Sequence, residues 1–270
     1  ATIATTLPTT VHASEKQYWT ESTERVGIIE KVMNDGSISS TFNEGYMRVE
    51  GETAYCIDIN TDFKNGYKTR ADASTRMSAD QIADVALSLE YVKQYGASHK
   101  ELNYKQVYLL EQCVVWQRLS VHLGWQCDNV RASYDEIPKA IQDEVYSGAK
   151  AFVKANKGRY DCGGYIYSGQ GQELGQFWAK LAVGNATLKK TSDNSSITDG
   201  NGIYSIAGAT YGVYADKECN NQLTTLTTDE SGNTETVEVR AGTLYIKELS
   251  APAGYKVDKN VYSLKVEAGK

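Results

Sequence analysis

Apolar and polar residues alternate along residues 18 to 70, the pattern expected of half-buried β-strands. Short turn signals interrupt the alternation, and we interpret them as hairpin connections: Asn34-Asp35-Gly36, Glu44-Gly45 and Asn65-Gly66. Residues 160 to 182 return to the same strand-like pattern. These two stretches predict β-structure on either side of a central segment.

The central segment, residues 78 to 157, has helical spacing instead. A first helix is predicted from Ser78, which forms a capping box with Gln81, to a stop at Gly96. A second is predicted over about 104–123, and a third starts within 133–138 and runs to about Asn156. The apolar residues on which these predictions rest are, in chain order, Ile82, Val85, Ala86, Leu89, Val92; Val107, Leu110, Val114, Val115, Leu119; Ile141, Val145, Ala149 and Phe152.

The pattern changes again after Gly184. Residues 186 to 270 contain short β-runs and no pattern of helix length. The turn signals between these runs are Asp199-Gly200-Asn201-Gly202, Asn220-Asn221, Ser231-Gly232-Asn233, Ala241-Gly242 and Pro252-Ala253-Gly254. We therefore predict an α+β unit over 14–184, with helices inserted between strands, and a small β-sandwich over 185–270.

Charge narrows the classes of partner. The chain has 270 residues, a formal net charge of −6 and a pI of about 5.3. Nucleic acid and anionic membranes reward clustered Lys and Arg, so neither is expected as a main partner. No apolar run approaches the length of a membrane span. Residues 1–13 are uncharged and rich in small residues, which predicts either the tail of a secretory signal or a flexible leader.

The five cysteines form no paired metal-binding spacing, so neither a zinc site nor a cofactor is predicted. An odd number also excludes a fully paired disulfide framework. Cys127 and Cys162 could form one bridge, or they could be small buried hydrophobic residues.

Two short segments suggest a different chemistry for one cysteine. Cys56 lies in a strand-like run, and Gln112 lies in the second predicted helix. A buried cysteine that faces a buried glutamine can displace ammonia and form a thioester, provided that water is excluded. The alternative is a core cysteine and a helix-surface glutamine, and spacing alone favours that alternative.

The second half closely resembles the Cna-B, or SpaA-type, domains of Gram-positive pilins and adhesins. The residues that carry the resemblance are Leu188-Lys189-Lys190-Thr191-Ser192, the run from Ile206 to Tyr214, Thr228-Asp229-Glu230-Ser231-Gly232, the run from Ala241 to Glu248, and Ala251-Pro252-Ala253-Gly254-Tyr255. The resemblance implies an all-β immunoglobulin-like sandwich with an internal isopeptide bond. Lys190 would supply the amine, with its pKa lowered by burial, and Glu248 would be the catalytic acid. The Asn or Asp acceptor would lie beyond residue 270, on a last strand that this sequence lacks, and Asn260 is a weak candidate.

The first half resembles the thioester domain at the tips of Gram-positive adhesins and pili. The matching segments are Tyr55-Cys56, the run from Gln112 to Trp116, Tyr165-Ile166-Tyr167-Ser168 and Gln172-Glu173-Leu174. The resemblance implies a β-sandwich or barrel with inserted helices and a thioester between Cys56 and Gln112. A lysine amine on a host surface or matrix protein, such as fibrinogen, would attack it once. The implied protein is a secreted, monomeric adhesin of the cell wall or pilus.

Several neighbouring residues compete for these roles. Cys113 departs from the motif, and the helical turn directs it away from the Gln112 position. Gln117 is a second glutamine but follows the Trp of the motif. His99 and His122 are candidate general bases by residue type only.

Two other functions fit parts of the sequence. One is a Cys-dependent acyltransferase or transpeptidase that uses Cys56 with His122 and turns over. The other is a non-covalent binding module in which both reactive pairs have lost their chemistry.

Overall fold

The computed structural model describes residues 15–123 and 129–270, and it divides into two compact units. Among the described residues, the first unit contains 15–123, 129–156 and 162–179, and the second contains 157–161 and 180–270. The predicted leader at 1–13 lies outside the described residues. The first unit is α+β, the second is almost entirely β, and the predicted fold classes are confirmed.

An eight-stranded sheet forms the frame of the first unit, in the order β3-β2-β1-β5-β7-β8-β4, with β6 paired to β1. Its strands are β1 (Gln17–Val32), β2 (Ile38–Val49), β3 (Glu52–Thr53), β4 (Tyr55–Cys56), β5 (Gly66–Asp72), β6 (Asn129–Ala132), β7 (Tyr160–Gly169) and β8 (Leu174–Leu181). The pairings of β1 with β2, β5 and β6 are all antiparallel. The long strands β1 and β2 therefore carry most of the frame.

A five-residue segment closes this sheet on itself. Thr53 in β3 pairs with Arg48 in β2, whereas Cys56 in β4 pairs with Leu174 in β8 at the opposite end of the strand order. Ala54, between the two short strands, donates its N–H to Met47 O at 3.0 Å. We call residues 52–56 the seam, because they join the two edges of the sheet into a barrel-like frame.

Three helices pack on this frame: α1 (Ala79–Ser98), α2 (Tyr104–Leu123) and α3 (Lys139–Asn156). The Ser78–Gln81 capping box is confirmed, with both of its reciprocal hydrogen bonds present. The predicted stop at Gly96 is wrong, because α1 continues for two residues past it. A Cβ at Gly96 would come within 2.8 Å of Val107 Cγ2, so this glycine allows α1 and α2 to approach closely.

The turn predictions are partly confirmed. The hairpin at residues 34–36 connects β1 to β2, and Gly36 has a φ of 83° as the turn requires. The turn predicted at Glu44-Gly45 is wrong, because both residues lie inside β2. A Cβ at Gly45 would come within 2.0 Å of Ser22 Oγ, beside an irregularity in the β1–β2 register. Glycine is therefore needed there for close packing of the two strands.

The second unit is a small sandwich of a four-stranded sheet, ordered β11-β10-β13-β14, and a two-stranded sheet of β12 and β9. The strands are β9 (Val183–Ala186), β10 (Thr210–Tyr214), β11 (Gln222–Thr227), β12 (Val237–Arg240), β13 (Gly242–Ser250) and β14 (Val261–Val266). A four-residue helix, α4 (Ser195–Thr198), is the single exception that we find to the predicted absence of helix in the described part of this half. The core of this unit includes Val213, Leu226 and Leu244.

Candidate functional site

Helix α2 carries Gln112 through the core of the first unit. Apolar side chains lie all round its middle turns, so this part of the helix is buried on every side. Gln112 has no solvent exposure, and its neighbours Cys113 and Trp116 are equally enclosed. A buried glutamine needs hydrogen-bond partners for its amide, and these come from the seam.

Cys56 and Gln112 are brought together, although 56 residues separate them in the sequence. The backbone N–H of Cys56 donates to Gln112 Oε1 at 2.8 Å, and Gln112 Nε2 donates to Cys56 O at 2.9 Å. The side-chain amide is thus held on the backbone of the cysteine itself. The donated N–H polarises the amide carbonyl and is positioned to stabilise negative charge on that oxygen.

The thiol of Cys56 lies in an apolar, enclosed setting. Burial raises the pKa of Cys56 well above its usual value, and the nearby carboxyl of Glu44 raises it further. The indole N–H of Trp116 has no partner at hydrogen-bonding geometry, yet it is close enough to the thiol to lower that pKa slightly. A Cys–His enzyme needs the opposite shift, because its cysteine must be a thiolate.

An aromatic cleft of about 730 Å³ adjoins the pair. Its wall includes Tyr55 and Glu111, which are the chain neighbours of Cys56 and Gln112. Tyr108 stacks between two other tyrosines, with ring centroids 4.4 Å from Tyr46 and 5.6 Å from Tyr55. This stack gives the cleft a rigid aromatic side.

Glu111 places a titratable carboxyl at the inner end of the cleft. Tyr55 donates its hydroxyl to Glu111 Oε2 at 2.9 Å. Burial raises the pKa of Glu111 to about 7, although Lys93 and the Tyr55 hydroxyl oppose the shift. The carboxyl can therefore take up and release a proton near neutral pH.

The competing residues point elsewhere. Cys113 is buried, and burial raises the pKa of its thiol to about 12, partly offset by a hydrogen bond with Tyr146. Gln117 Nε2 donates to Val130 O at 2.8 Å, away from the seam. Neither residue takes part in the amide contacts of Cys56.

The predicted bases and the predicted bridge contribute nothing to the site as described. His99 Nδ1 bonds to Tyr95 O at 2.9 Å, and the two rings stack 3.7 Å apart at the end of α1. The side chain of His122 lies outside the described residues, and so does Cys127, which leaves the Cys127–Cys162 bridge as a prediction. The described residues contain no cluster of His, Cys, Asp or Glu suited to a metal ion.

The second unit holds its own buried pair. Lys190 Nζ lies 2.8 Å from Glu248 Oε1 and donates to the Tyr211 hydroxyl at 3.1 Å. The Glu248 side chain is 1% exposed, and its Oε2 accepts the backbone N–H of Asp258 at 2.6 Å. The two residues predicted to share isopeptide chemistry are therefore in direct contact.

The pKa expected for Lys190 is wrong in its direction. Burial alone would lower it, but the hydrogen bonds that Lys190 donates to Glu248 and Tyr211, together with the charges of these two groups, outweigh burial, and the pKa is raised. The lysine is therefore held as an ammonium in an ion pair, and it must lose a proton before it can act as a nucleophile.

Asn260, the weak candidate for the isopeptide acceptor, lies at the surface. Asn260 is exposed, and its backbone N–H donates to Asp258 Oδ1 at 2.9 Å. Close to the end of the chain, Gly269 N bonds to Val183 O and Asn185 N bonds to Lys270 O.

A comparison with family models finds one match in the second unit. Residues 184–270 match the model of the SpaA prealbumin-like fold domain. We refer to these residues, which are similar to that family, as the SpaA-type domain. The resemblance predicted from the runs around Lys190, Tyr211 and Glu248 is thus confirmed.

A search of solved structures finds several matches of low identity. The Bacillus anthracis TIE protein is 12% identical, with a TM-score of 0.36 over 94% of this chain, which spans 64% of that protein's chain. The thioester domain of the Staphylococcus aureus TIE protein is 14% identical, with a TM-score of 0.35 over 82% of this chain and 92% of that one. The T6 backbone pilin of Streptococcus pyogenes is 18% identical, with a TM-score of 0.27 over 39% of this chain and 24% of that one.

Likenesses of this size do not carry a function from those proteins to this chain. A search of curated protein sequences finds no significant match. Among the described helices, none combines the length and the apolar character that crossing a bilayer requires.

Sequence reasoning missed three residues of the two sites. The sequence pattern predicts a turn at Glu44 and assigns no role to Glu111, because acidic residues are rarely buried. Tyr211 belongs to the SpaA-type motif, but nothing in that motif assigned its hydroxyl to Lys190. The apolar neighbours of Glu111 in α2 were the available signal that this side of the helix is enclosed.

Proposed function

We propose that this chain belongs to a secreted adhesin of a Gram-positive cell wall or pilus, and that it captures a host protein through a thioester between Cys56 and Gln112. The observation that carries the proposal is the pair of hydrogen bonds between the Gln112 amide and the Cys56 backbone, at 2.8 and 2.9 Å. Both residues have no solvent exposure. Exclusion of water favours attack by the thiol and protects the product from hydrolysis.

The target group is a primary amine, most simply a lysine side chain on a host surface or matrix protein. The amine enters through the aromatic cleft as an ammonium, and Glu111 takes up one of its protons. The free amine attacks Gln112 Cδ while the Cys56 N–H holds the oxygen. A C–N bond forms and the C–S bond breaks, and the Cys56 sulfur takes the second proton from the attacking nitrogen. The products are an amide to the target and a free thiol.

Intact mass under denaturing conditions tests this proposal. The chain is expected to be lighter than its sequence by one ammonia for the thioester, and methylamine should add to Gln112 and give a product that is heavier than the sequence by one methylene group. Cys56→Ala should abolish both the deficit and the response. The matched control is Cys113→Ala, which removes the adjacent buried thiol and should keep both. A mass equal to the sequence in the unmodified chain would rule out the thioester.

The SpaA-type domain is proposed to be a load-resistant stalk. In this proposal Lys190 forms an isopeptide bond with an Asn or Asp after Lys270, and Glu248 transfers the proton; the contact of Lys190 with Glu248 at 2.8 Å supports it. A covalent link between strands resists forced unfolding, which suits an adhesin under shear. In a chain extended beyond Lys270, a second mass deficit that Lys190→Met removes would support this role: one ammonia for an Asn acceptor or one water for an Asp acceptor. The absence of either deficit would refute it.

A further inference from the structure

Glu44 is a buried carboxyl that the proposed function leaves without a role. It is 4% exposed, and its Oε1 has no hydrogen-bond partner among the described residues. A hydrogen bond with the backbone of Gly45 favours the charged form of this carboxyl, but burial outweighs it. Burying a carboxyl oxygen without a partner is costly. Two other buried glutamates of this unit have side-chain partners, since Glu30 accepts from Arg131 at 2.8 Å and Glu111 accepts from Tyr55 at 2.9 Å.

The packing of β2 on α2 fixes where Glu44 lies. Residues two apart on a strand point to the same face, about 6.7 Å apart, and residues four apart on a helix lie on one face, about 6 Å apart. Tyr46 stacks on Tyr108 with ring centroids 4.4 Å apart. Phe42 meets Trp116 edge-on at 5.3 Å. The strand and the helix therefore run in opposite directions, and their residues have nearly the same axial spacing between these two contacts.

The position midway between the two contacts is Glu44 on the strand and Gln112 on the helix. Because the flanking pairs are in contact, the carboxyl of Glu44 is directed at the level of the Gln112 amide. The backbone of Cys56, in the seam, is hydrogen-bonded to that same amide. The carboxyl is thus directed toward the Cys56–Gln112 pair, although its Oε1 forms no hydrogen bond with either residue in the structure.

The pKa shifts of Glu44 and Cys56 are consistent with this placement of the carboxyl. Burial raises the pKa of Glu44 to about 8. Glu44 is also the second cause, after burial, of the raised pKa of Cys56. At neutral pH the carboxyl is therefore mostly protonated, so it holds a proton to give and a free oxygen, Oε1, to receive one.

We propose that Glu44 transfers the proton from the Cys56 thiol to the departing ammonia when the thioester forms, an inference that rests on the proposed function. As the sulfur attacks Gln112 Cδ, Glu44 Oε1 accepts the thiol proton and, in the same step, the other carboxyl oxygen gives its proton to Gln112 Nε2, while the carbonyl electrons move to Gln112 Oε1. The carbonyl then re-forms, the C–N bond breaks, and Nε2 leaves as ammonia. The carboxyl ends in the protonation state in which it began.

The test is the rate of ammonia loss on refolding, followed by intact mass. The chain is first treated with ammonia, which opens any thioester and restores the Gln112 amide and the Cys56 thiol, and it is then denatured, reduced, freed of ammonia and allowed to refold. E44Q keeps the shape of the side chain and removes its acid–base chemistry. We expect its thioester to form at least about 100-fold more slowly than in the unmodified chain, as is usual when a general acid–base group is lost. Glu101→Gln, at an exposed position between α1 and α2, is the matched control and should form the thioester at the unmodified rate.

The outcomes are distinguishable. If the unmodified chain shows no ammonia deficit, the proposed function itself fails. If the unmodified chain forms the thioester and natively folded E44Q forms it equally fast, only the role of Glu44 is overturned. Tryptophan fluorescence establishes whether E44Q has folded. If it has not, E44D decides, because withdrawing the carboxyl by one methylene should slow formation at least about tenfold, and an unchanged rate counts against the inference.

Discussion

Replacing Glu44 with Gln should change how the stability of the first unit depends on pH. Burial raises the pKa of this carboxyl from 4.5 to about 8 in the folded chain. Below pH 4.5 the group is protonated in both states and contributes no difference. Between pH 4.5 and 8 the unfolded chain ionises while the folded chain stays neutral, so the free energy of unfolding falls as pH rises.

The size of the effect follows from the shift. A difference of about 3.5 pKa units corresponds to about 5 kcal/mol, lost progressively up to pH 8 and constant above it. The glutamine of E44Q does not titrate, so the variant escapes this loss. We expect E44Q and Glu44 chains to differ little at pH 4.5, and E44Q to be the more stable by several kcal/mol at pH 8.5.

Urea unfolding followed by tryptophan fluorescence measures this difference. All four tryptophans precede residue 180, so the signal reports the first unit. Both chains should carry Cys56→Ala, which removes any thioester from the comparison. Glu101→Gln on the same background should follow the Glu44 chain at every pH. If E44Q tracks the Glu44 chain within about 1 kcal/mol from pH 4.5 to 8.5, the carboxyl is not held in the buried, neutral state on which the reasoning depends.

Two further predictions concern the buried ion pair and the packing of α1 on α2. Lys190→Met leaves Glu248 buried without its cation and should lower the free energy of unfolding of the SpaA-type domain by about 3–5 kcal/mol, and adding Glu248→Leu should recover most of this loss. Calorimetry of the single and double variants measures both changes, and an unchanged stability of Lys190→Met would refute the ion pair. Gly96→Ala pushes a methyl group against Val107 and should lower the free energy of unfolding of the first unit by about 1–3 kcal/mol. Denaturant unfolding measures the change, and no loss of stability would mean that α1 and α2 can separate freely. The control is Gly36→Ala, which meets no neighbouring atom but has a φ of 83° and should cost less.

The sequence predicts α2 and the SpaA-type domain well, for different reasons. Residues 104–123 carry a helical period with strong helix formers, and their predicted bounds match the structure. The SpaA-type motif is specific enough to identify its domain from a few runs around Lys190 and Glu248. In both cases the information lies within short stretches of the chain.

Long-range packing decided what the sequence could not predict. Gly45 and Gly96 resemble a turn and a helix stop, but each is a glycine because another element approaches it closely. Glu44 is one acidic residue among 34 Asp and Glu, and its burial depends on the alignment of β2 with α2. The raised pKa of Lys190 likewise depends on a tyrosine hydroxyl from a separate strand.

Because Cys56 lies in the seam, the proposed thioester would also affect the stability of the first unit. A bond between Cys56 and Gln112 would tie α2 to the segment that joins the two edges of the sheet, and would close a loop of 56 residues. In the chain-entropy model, a crosslink of that span stabilises the fold by about 4 kcal/mol. Attack by a target amine opens this crosslink at the moment when it makes the new one. The reaction with a target therefore replaces an internal crosslink by a bond to another protein. The first unit then becomes easier to unfold once it is attached to its target.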